Sequence, residues 1–104
     1  MSGDSEWWTQ NRIAKLEREI SNPTVLTLLN MTAERAGEWV RFDEIWRKRG
    51  ISSGKARGDL AGLTRIIKRD FQGNEGKWPV EVRDTTAPIA YRMPAEIARR
   101  WREA

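Results

Sequence analysis

Residues 47–69 read RKRGISSGKARGDLAGLTRIIKR and carry eight lysine or arginine side chains against a single carboxylate, Asp59. The stretch therefore has a net charge of +7, although the whole chain of 104 residues carries only +4. Its pattern predicts a helix that ends at Gly50, a turn, and a second helix that runs from about Ser53 to Phe71. A concentrated positive charge of this kind attracts polyanions, of which nucleic acid backbones are the commonest.

The elements that precede this stretch are predicted from apolar spacing and capping residues. One helix runs over residues 5–20, and a second starts at the pair Asn22-Pro23, with the asparagine as N-cap. The second helix has an apolar stripe that reaches Ala36, ends near Gly37, and should be the central helix of the core. A short strand over 38–42 then leads into the helix that ends at Gly50.

Two alternating runs follow the charged stretch, over 78–83 and 89–93, and predict a hairpin with its tip at 84–88. Pro94 should open a short last helix, because proline is favoured at the first helical position. One face of the hairpin should point inward, and its residues are Trp78, Val80, Val82, Ile89, Tyr91 and Met93.

The order helix, short strand, helix, turn, helix, hairpin resembles that of the winged helix-turn-helix family. The residues that carry the resemblance run from Asn22 to Met93, and include the Trp39-Val40 strand and the turn at 50–53. It implies an α+β, mostly α fold: a winged helix-turn-helix domain at 22–94 with an N-terminal helical extension at 1–21 and a short C-terminal helix at 95–104.

The resemblance also implies a function. The helix at 53–71 would lie in the major groove of double-stranded DNA, and the hairpin would reach the flanking backbone or the minor groove. Many family members use additional helices of the kind found here at 1–21 for dimerisation. The chain would then be a transcriptional regulator or an accessory DNA-binding factor.

The helix at 53–71 has two distinct faces. Ala56, Leu60, Leu63, Ile67 and Phe71 form an apolar arc, and the opposite arc holds Lys55, Gly58, Gly62, Arg65 and Arg69. Glycine inside a helix costs about 1 kcal/mol relative to alanine. The two glycines would either let the helix sink towards a DNA groove, or admit a neighbouring helix of the same chain or of a second copy.

The predicted DNA contacts extend beyond this helix. Arg47, Lys48 and Arg49 either meet phosphates or compensate the dipole of the helix that they end, and Ser52 or Ser53 caps the next helix or donates to a phosphate. Arg83 and Arg92 should point outward on the hairpin. The full predicted set is Arg47, Lys48, Arg49, Ser53, Lys55, Arg57, Gly58, Gly62, Arg65, Lys68, Arg69, Arg83 and Arg92.

The six tryptophans are predicted to have two roles. Trp39, Trp46, Trp78 and Trp101 occupy apolar positions of their elements, which favours core packing over base stacking. Trp7 and Trp8 are adjacent, so within one helix they should not face the same core. One of them is therefore expected to meet a partner subunit, which indicates a possible homodimer.

Composition argues against several classes of function. The chain has no histidine and no cysteine, and thus lacks the usual general base, metal ligands and disulfides. We therefore expect no catalytic residues, no metal, no cofactor and no small-molecule ligand. The apolar runs are too short for a membrane span and the first residues are polar, which predicts a cytoplasmic protein. The alternatives to DNA binding are a protein-interaction module on the same scaffold, and structured RNA as the polyanion.

Overall fold

The computed structural model describes residues 4–72, 77–83 and 88–104. The strands form one antiparallel sheet, in which residues 90–92 pair with residues 40–41 on one side and with residues 81–83 on the other. The predicted class, α+β and mostly α, is confirmed. In chain order the elements are α1 (Asp4–Trp7), α2 (Gln10–Glu19), α3 (Pro23–Glu34), β1 (Val40–Arg41), α4 (Phe42–Arg49), α5 (Ser53–Asp70), β2 (Glu81–Arg83), β3 (Ala90–Arg92) and α6 (Ala95–Arg102).

Helix α3 is the central helix, as predicted, and packs against α4, α5 and α6. Asn22 caps it, because its side-chain oxygen accepts from the backbone N–H groups of Thr24 (2.8 Å) and Val25 (3.3 Å). These bonds satisfy donors that the first turn of a helix otherwise leaves without partners. The inward side of α3 is buried through Thr24, Val25, Leu28, Leu29, Thr32 and Ala33.

The end of α3 differs from the prediction. The helix stops at Glu34, so Ala36 lies outside it. Gly37 has the left-handed backbone conformation (φ 80°), but its N–H donates to the carbonyl oxygen of Met93 at 2.9 Å and to no carbonyl of α3. The turn is therefore shaped by the segment that follows β3, which the apolar stripe of α3 could not indicate.

The amino-terminal segment contains two helices, α1 and α2, where the spacing predicts one helix over 5–20. The chain bends after Trp7, and the Thr9 hydroxyl caps α2 by accepting from the N–H of Arg12 at 3.4 Å. The Arg12 guanidinium donates to the carbonyl oxygen of Trp7 at 2.7 Å, and Arg100 of α6 donates to two further carbonyl oxygens of the segment. Side-chain donors thus replace the helical hydrogen bonds that the break removes.

This break places both adjacent tryptophans against α5. Trp8 is completely buried and Trp7 is half-buried, and their ring centroids lie 5.2 and 6.2 Å from that of Phe71. The prediction that they cannot face the same core is wrong, because it assumed one helix in which neighbours point about 100° apart. Trp8 is completely buried, so of these two tryptophans only Trp7 has surface left for the predicted contact with a partner subunit.

The turn between α4 and α5 forms as predicted. Gly50 ends α4 in the left-handed conformation (φ 70°). The Ser52 hydroxyl accepts from the N–H of Lys55 at 3.1 Å, so Ser52 is the cap of α5, and Ser53 is an exposed residue of its first turn. The capping bond fixes where α5 begins.

The hairpin is present, although most of its predicted tip, residues 84–87, lies outside the described residues. Val80, Tyr91 and Met93 are buried, as predicted. Val82 is an exception: it lies opposite Tyr91 in the sheet, but it remains 47% exposed. Its strand β2 is an edge strand, so the side chain lies at the margin of the buried face.

Helix α6 closes the core on the side of α2 and α3. Ile97, Ala98 and Trp101 are buried, as predicted, and the Trp101 indole N–H donates to the side-chain oxygen of Asn30 at 2.8 Å. This bond satisfies a polar atom that burial would otherwise leave without a partner. Among the described helices, none has both the length and the apolar character needed to cross a membrane.

Candidate nucleic-acid interface

Helix α5 is held by the apolar face that its spacing predicts. The face packs against α3 and α4. Burying an aliphatic side chain contributes roughly 1.5–3 kcal/mol, so several of them together fix the rotation of the helix about its axis. The opposite face is consequently directed away from the core. The buried residues are Ala56, Leu60, Leu63 and Ile67 of the helix, and Phe71 directly after it.

The glycines of α5 border open space on this outward face. A Cβ added at Gly54 or Gly58 would have no neighbour within 4 Å beyond the adjacent helix backbone. A Cβ at Gly62 would meet the end of the Arg65 side chain at 3.5 Å. No helix of the described part of the chain approaches these positions, so the interpretation that Gly58 and Gly62 admit a neighbouring helix of the same chain is wrong.

Two predicted contacts on α5 are already paired with carboxylates. The Lys55 ammonium lies 3.0 Å from Asp59. The Arg69 guanidinium makes two hydrogen bonds to Asp70, at 2.8 and 3.0 Å, and lies 3.9 Å from Glu19. Exposed ion pairs of this kind contribute about 0–1 kcal/mol to the stability of a protein. A phosphate group could therefore replace the carboxylate as the partner of Lys55 or Arg69.

Hydrogen bonding keeps the two principal carboxylates ionised. The pKa of Asp59 is lowered chiefly by the Thr24 hydroxyl, which donates to it at 2.7 Å, and next by Lys55. The pKa of Asp70 is lowered chiefly by its hydrogen bonds from Arg69. Each carboxylate therefore carries its negative charge at neutral pH, and locally reduces the positive charge of α5.

Three other cations of α5 have no such partner. Within residues 4–72, 77–83 and 88–104, no carboxylate forms an ion pair with Arg57, Arg65 or Lys68, and all three side chains are exposed. Arg57 lies over the ring of Phe42, with its guanidinium carbon 5.7 Å from the ring centroid. These cations supply the positive charge of α5 that no described carboxylate neutralises.

The basic residues that end α4 have different surroundings. Lys48 is exposed, and Arg47 is exposed with its Nε 3.8 Å from Asp43. Arg49 is half-buried, and its Nε donates to the buried hydroxyl of Thr24 at 3.3 Å. Arg49 therefore links α4 to the start of α3. For Arg47 and Lys48, dipole compensation and phosphate contact both stay predictions.

The two arginines of the hairpin lie on the outer face of the sheet, as predicted, but both are packed against Trp39. Their guanidinium carbons lie 4.8 Å (Arg83) and 4.4 Å (Arg92) from the ring centroid of Trp39. Arg92 also pairs with Glu81 at 2.6 Å, and the Nε of Arg83 is buried with no hydrogen-bond partner among the described residues. Both side chains thus cover a tryptophan.

Trp39 itself is not in the core, contrary to the prediction. Val40 points inward and is fully buried, and successive residues of a strand point to opposite faces. Trp39 therefore lies on the outer face of the sheet with Arg83 and Arg92. Trp46 and Trp78 are half-buried and pack against the core, which agrees with the prediction in part.

Spacing alone did not reveal a cleft of about 230 Å³ between α5 and the hairpin. Its lining is mostly apolar, and spacing assigns such residues to the core. The exposed Arg57 borders it as well. The other lining residues include Phe42, Leu60, Trp78, Ile89 and Tyr91.

The structure thus gathers part of the predicted set on one surface, which we call the α5 face. We define it by Gly54, Arg57, Gly58, Ala61, Gly62, Arg65 and Lys68. Lys55 and Arg69 flank this surface in ion pairs, and Arg49, Arg83 and Arg92 are engaged elsewhere. Comparisons of the chain with protein-family models, curated proteins and solved structures find no match.

Proposed function

We propose that this protein binds double-stranded DNA through the α5 face, as a winged-helix transcriptional regulator or accessory DNA-binding factor. One observation carries the proposal: glycine positions that border open space lie next to exposed cations for which the described residues supply no carboxylate. Glycine lowers the stability of a helix by about 1 kcal/mol per position. Nothing in the described packing of the free protein offsets this cost, whereas close approach of another surface would.

The dimensions of DNA agree with this arrangement. An α-helix with its side chains is about 10–12 Å wide, and the major groove is about 12 Å wide, so removing side chains lets the helix axis come closer to the bases. Gly54, Gly58 and Gly62 recur every fourth residue and lie along one line of α5. Arg65 and Lys68, just beyond this line, would reach phosphates or a guanine edge.

The test is a salt titration of duplex binding. Binding is measured by the fluorescence anisotropy of a labelled duplex of random sequence. If four or five cations meet phosphates, the slope of log K against log salt should lie between about −3.5 and −4.5. The measurement covers roughly 50 to 200 mM salt, where such binding changes most. A slope near zero, or no binding at the lowest salt, would exclude the proposal.

The second candidate is a protein-interaction module that uses the same surface. The observation in its favour is again the open glycine positions, because small residues also let two protein backbones approach closely. A contact between two copies of this face would, however, bring like charges together, which costs free energy at low salt. Complementary acidic partners avoid that repulsion.

A double variant separates the two candidates. Arg65→Ala with Lys68→Ala should abolish most duplex binding and leave the sedimentation behaviour unchanged if DNA is the partner. The protein-interaction module would instead be supported if the double variant no longer assembled and the wild-type chain bound no duplex at any salt concentration. Arg99→Ala on α6 is the matched control, because it removes an exposed cation from a helix that packs against α2 and α3.

Structured RNA is tested by competition. The major groove of an A-form RNA helix is too deep and narrow for side chains to read, so a helix that enters a groove should prefer DNA. Duplex DNA should therefore displace the labelled probe at lower concentration than duplex RNA of the same length. The opposite order would indicate RNA as the target.

A further inference from the structure

The cleft between α5 and the hairpin has an aromatic wall. The rings of Trp78 and Tyr91 are stacked, with centroids 6.2 Å apart and planes 19° apart. The Trp78 indole N–H donates to the hydroxyl of Thr64 at 2.8 Å, which holds the ring in place. Phe42 and Leu60 extend the apolar lining, so the cleft offers a flat surface that suits an aromatic ring.

The volume of the cleft limits the size of a ligand. Sites for drug-sized molecules occupy about 300–1,000 Å³. This cleft, of about 230 Å³, lies below that range. A single ring with a short substituent is therefore the appropriate size.

Two polar groups border the same cleft. Arg57 is exposed and forms no ion pair with a described carboxylate. Tyr91 also lines the cleft and is only 6% exposed, and no hydrogen bond joins its hydroxyl to another described residue. The cleft is thus bordered by a cation that has no ion pair among the described residues and by a tyrosine.

The state of the Tyr91 hydroxyl follows from its surroundings. Burial raises the pKa of Tyr91, and the positive charge of Arg57 acts in the opposite direction. The hydroxyl therefore keeps its proton at neutral pH and serves as a donor. Arg57 and Tyr91 both line the cleft, so one ligand bound there has access to both.

We propose that this cleft binds a small aromatic carboxylate with a single ring. The ring lies against Trp78 and Tyr91, and the carboxylate pairs with Arg57 while it accepts from the Tyr91 hydroxyl. The apolar wall alone would not select an anion, and the cation alone would not select a ring. Together, in a cleft of this size, they select both.

Ligand binding would also affect the α5 face, because Arg57 belongs to both. A bound carboxylate would neutralise one of the cations proposed to meet DNA, and would weaken duplex binding. This coupling rests on the proposed function, whereas the ligand site itself does not. The two are therefore tested separately.

The ligand site is tested on the free full chain with benzoate as the probe. Two-dimensional ¹H–¹⁵N spectra follow the indole N–H of Trp78, which the Trp78→Phe variant assigns. We expect a saturable shift with benzoate, and about tenfold weaker binding of neutral benzamide. Arg57→Gln should weaken benzoate binding to a similar extent, and Arg99→Gln on α6 should leave it unchanged.

Three results would overturn the ligand site: no shift of the Trp78 indole with benzoate, equal affinities for benzoate and benzamide, or equal affinities of the Arg57→Gln and Arg99→Gln variants. Because Arg57 is exposed, its replacement should not unfold the chain, and circular dichroism checks this. The coupling predicts that benzoate weakens duplex binding by the wild type but not by Arg57→Gln. Benzoate binding without this effect would refute the coupling and leave the ligand site supported.

Discussion

The guanidinium of Arg65 lies over Gly62, with one terminal nitrogen 3.5 Å from the place that a Cβ at residue 62 would occupy. At Gly54 and Gly58, in contrast, an added Cβ would have no neighbour within 4 Å beyond the adjacent helix backbone in the described part of the chain. An exposed arginine can swing away without disturbing any packing. Among the described residues, the Arg65 side chain is thus the one group that lies close over these three glycine positions.

The first prediction concerns Gly58, whose replacement separates stability from binding. Gly58→Ala should raise the free energy of unfolding by up to about 1 kcal/mol, because alanine favours the helix and the added methyl group meets open space. The same variant should bind duplex DNA more weakly, because the methyl group lies between α5 and the proposed groove. Denaturant unfolding and anisotropy measure the two effects.

The control for Gly58→Ala is Asn11→Ala, an exposed position of α2 where alanine is also the better helix former. It should increase stability without changing duplex affinity. If Gly58→Ala stabilises the protein and binds DNA as tightly as the wild type, the backbone of α5 does not approach DNA at that position.

The second prediction distinguishes Arg65 from Arg69, both of which the sequence places on the arc opposite the apolar face of α5. Arg65 has no described carboxylate partner, whereas the charge of Arg69 is already paired with Asp70. Arg65→Ala should reduce the magnitude of the salt slope of duplex binding by about 0.9, the contribution of one phosphate contact. Arg69→Ala should reduce it by less. A larger effect at Arg69 would mean that phosphate displaces Asp70 when DNA binds.

The third prediction is a pH dependence of stability that involves Asp59. Its folded-state pKa is lowered by hydrogen bonds from Thr24 and Lys55, while an aspartate in the unfolded chain has a pKa of about 3.9. At a pH between these two pKa values, the unfolded chain binds more protons at Asp59 than the folded chain does. The stabilisation by Asp59 is therefore complete above about pH 5 and disappears as the pH falls through the folded-state pKa. Asp59→Asn should therefore lose stability at pH 7.

The measurement is denaturant unfolding of both proteins at pH 7 and near pH 3. The difference in unfolding free energy between the two pH values should be smaller for Asp59→Asn than for the wild type. Some dependence should remain, because hydrogen bonds also lower the pKa values of Asp43, Glu44 and Asp70. An unchanged difference would show that the bonds to Asp59 do not stabilise the fold.

The fourth prediction tests the position of the adjacent tryptophans. Trp8→Ala should cost about 3–5 kcal/mol of stability, because the side chain is fully buried against Phe71. Trp7→Ala should cost less, because that side chain is half-buried. Trp8→Phe provides a milder variant should the alanine variant unfold. Similar losses for both alanine variants, together with a change in sedimentation, would place Trp8 at a subunit contact instead.

Much of the helical part of the fold is predictable because its causes are local. Asn22, Gly50 and Ser52 start or end helices through contacts with residues a few positions away. The apolar arc of α5 needs only the helical period to be recognised, and it turns the glycines and cations outward. The charge between residues 47 and 69 is likewise a property of the sequence.

The remaining features depend on residues that are far apart in the chain. Arg100 holds the break between α1 and α2 by donating to carbonyl oxygens more than ninety positions earlier in the chain. Arg83 and Arg92 are placed on Trp39 by the pairing of β3 with both of its neighbours. The cleft at Arg57 likewise exists only because the hairpin packs beside α5.

The caps at Asn22, Gly50 and Ser52, the two faces of α5 and the charge on its outer face are thus readable from the sequence, because they follow from spacing and from short-range hydrogen bonds. Which of those cations are neutralised, as Lys55 and Arg69 are, and which have no described carboxylate partner, as with Arg57 and Arg65, becomes visible only in the folded chain. An ion pair depends on where two side chains end in space, and a linear order of residues leaves that position open.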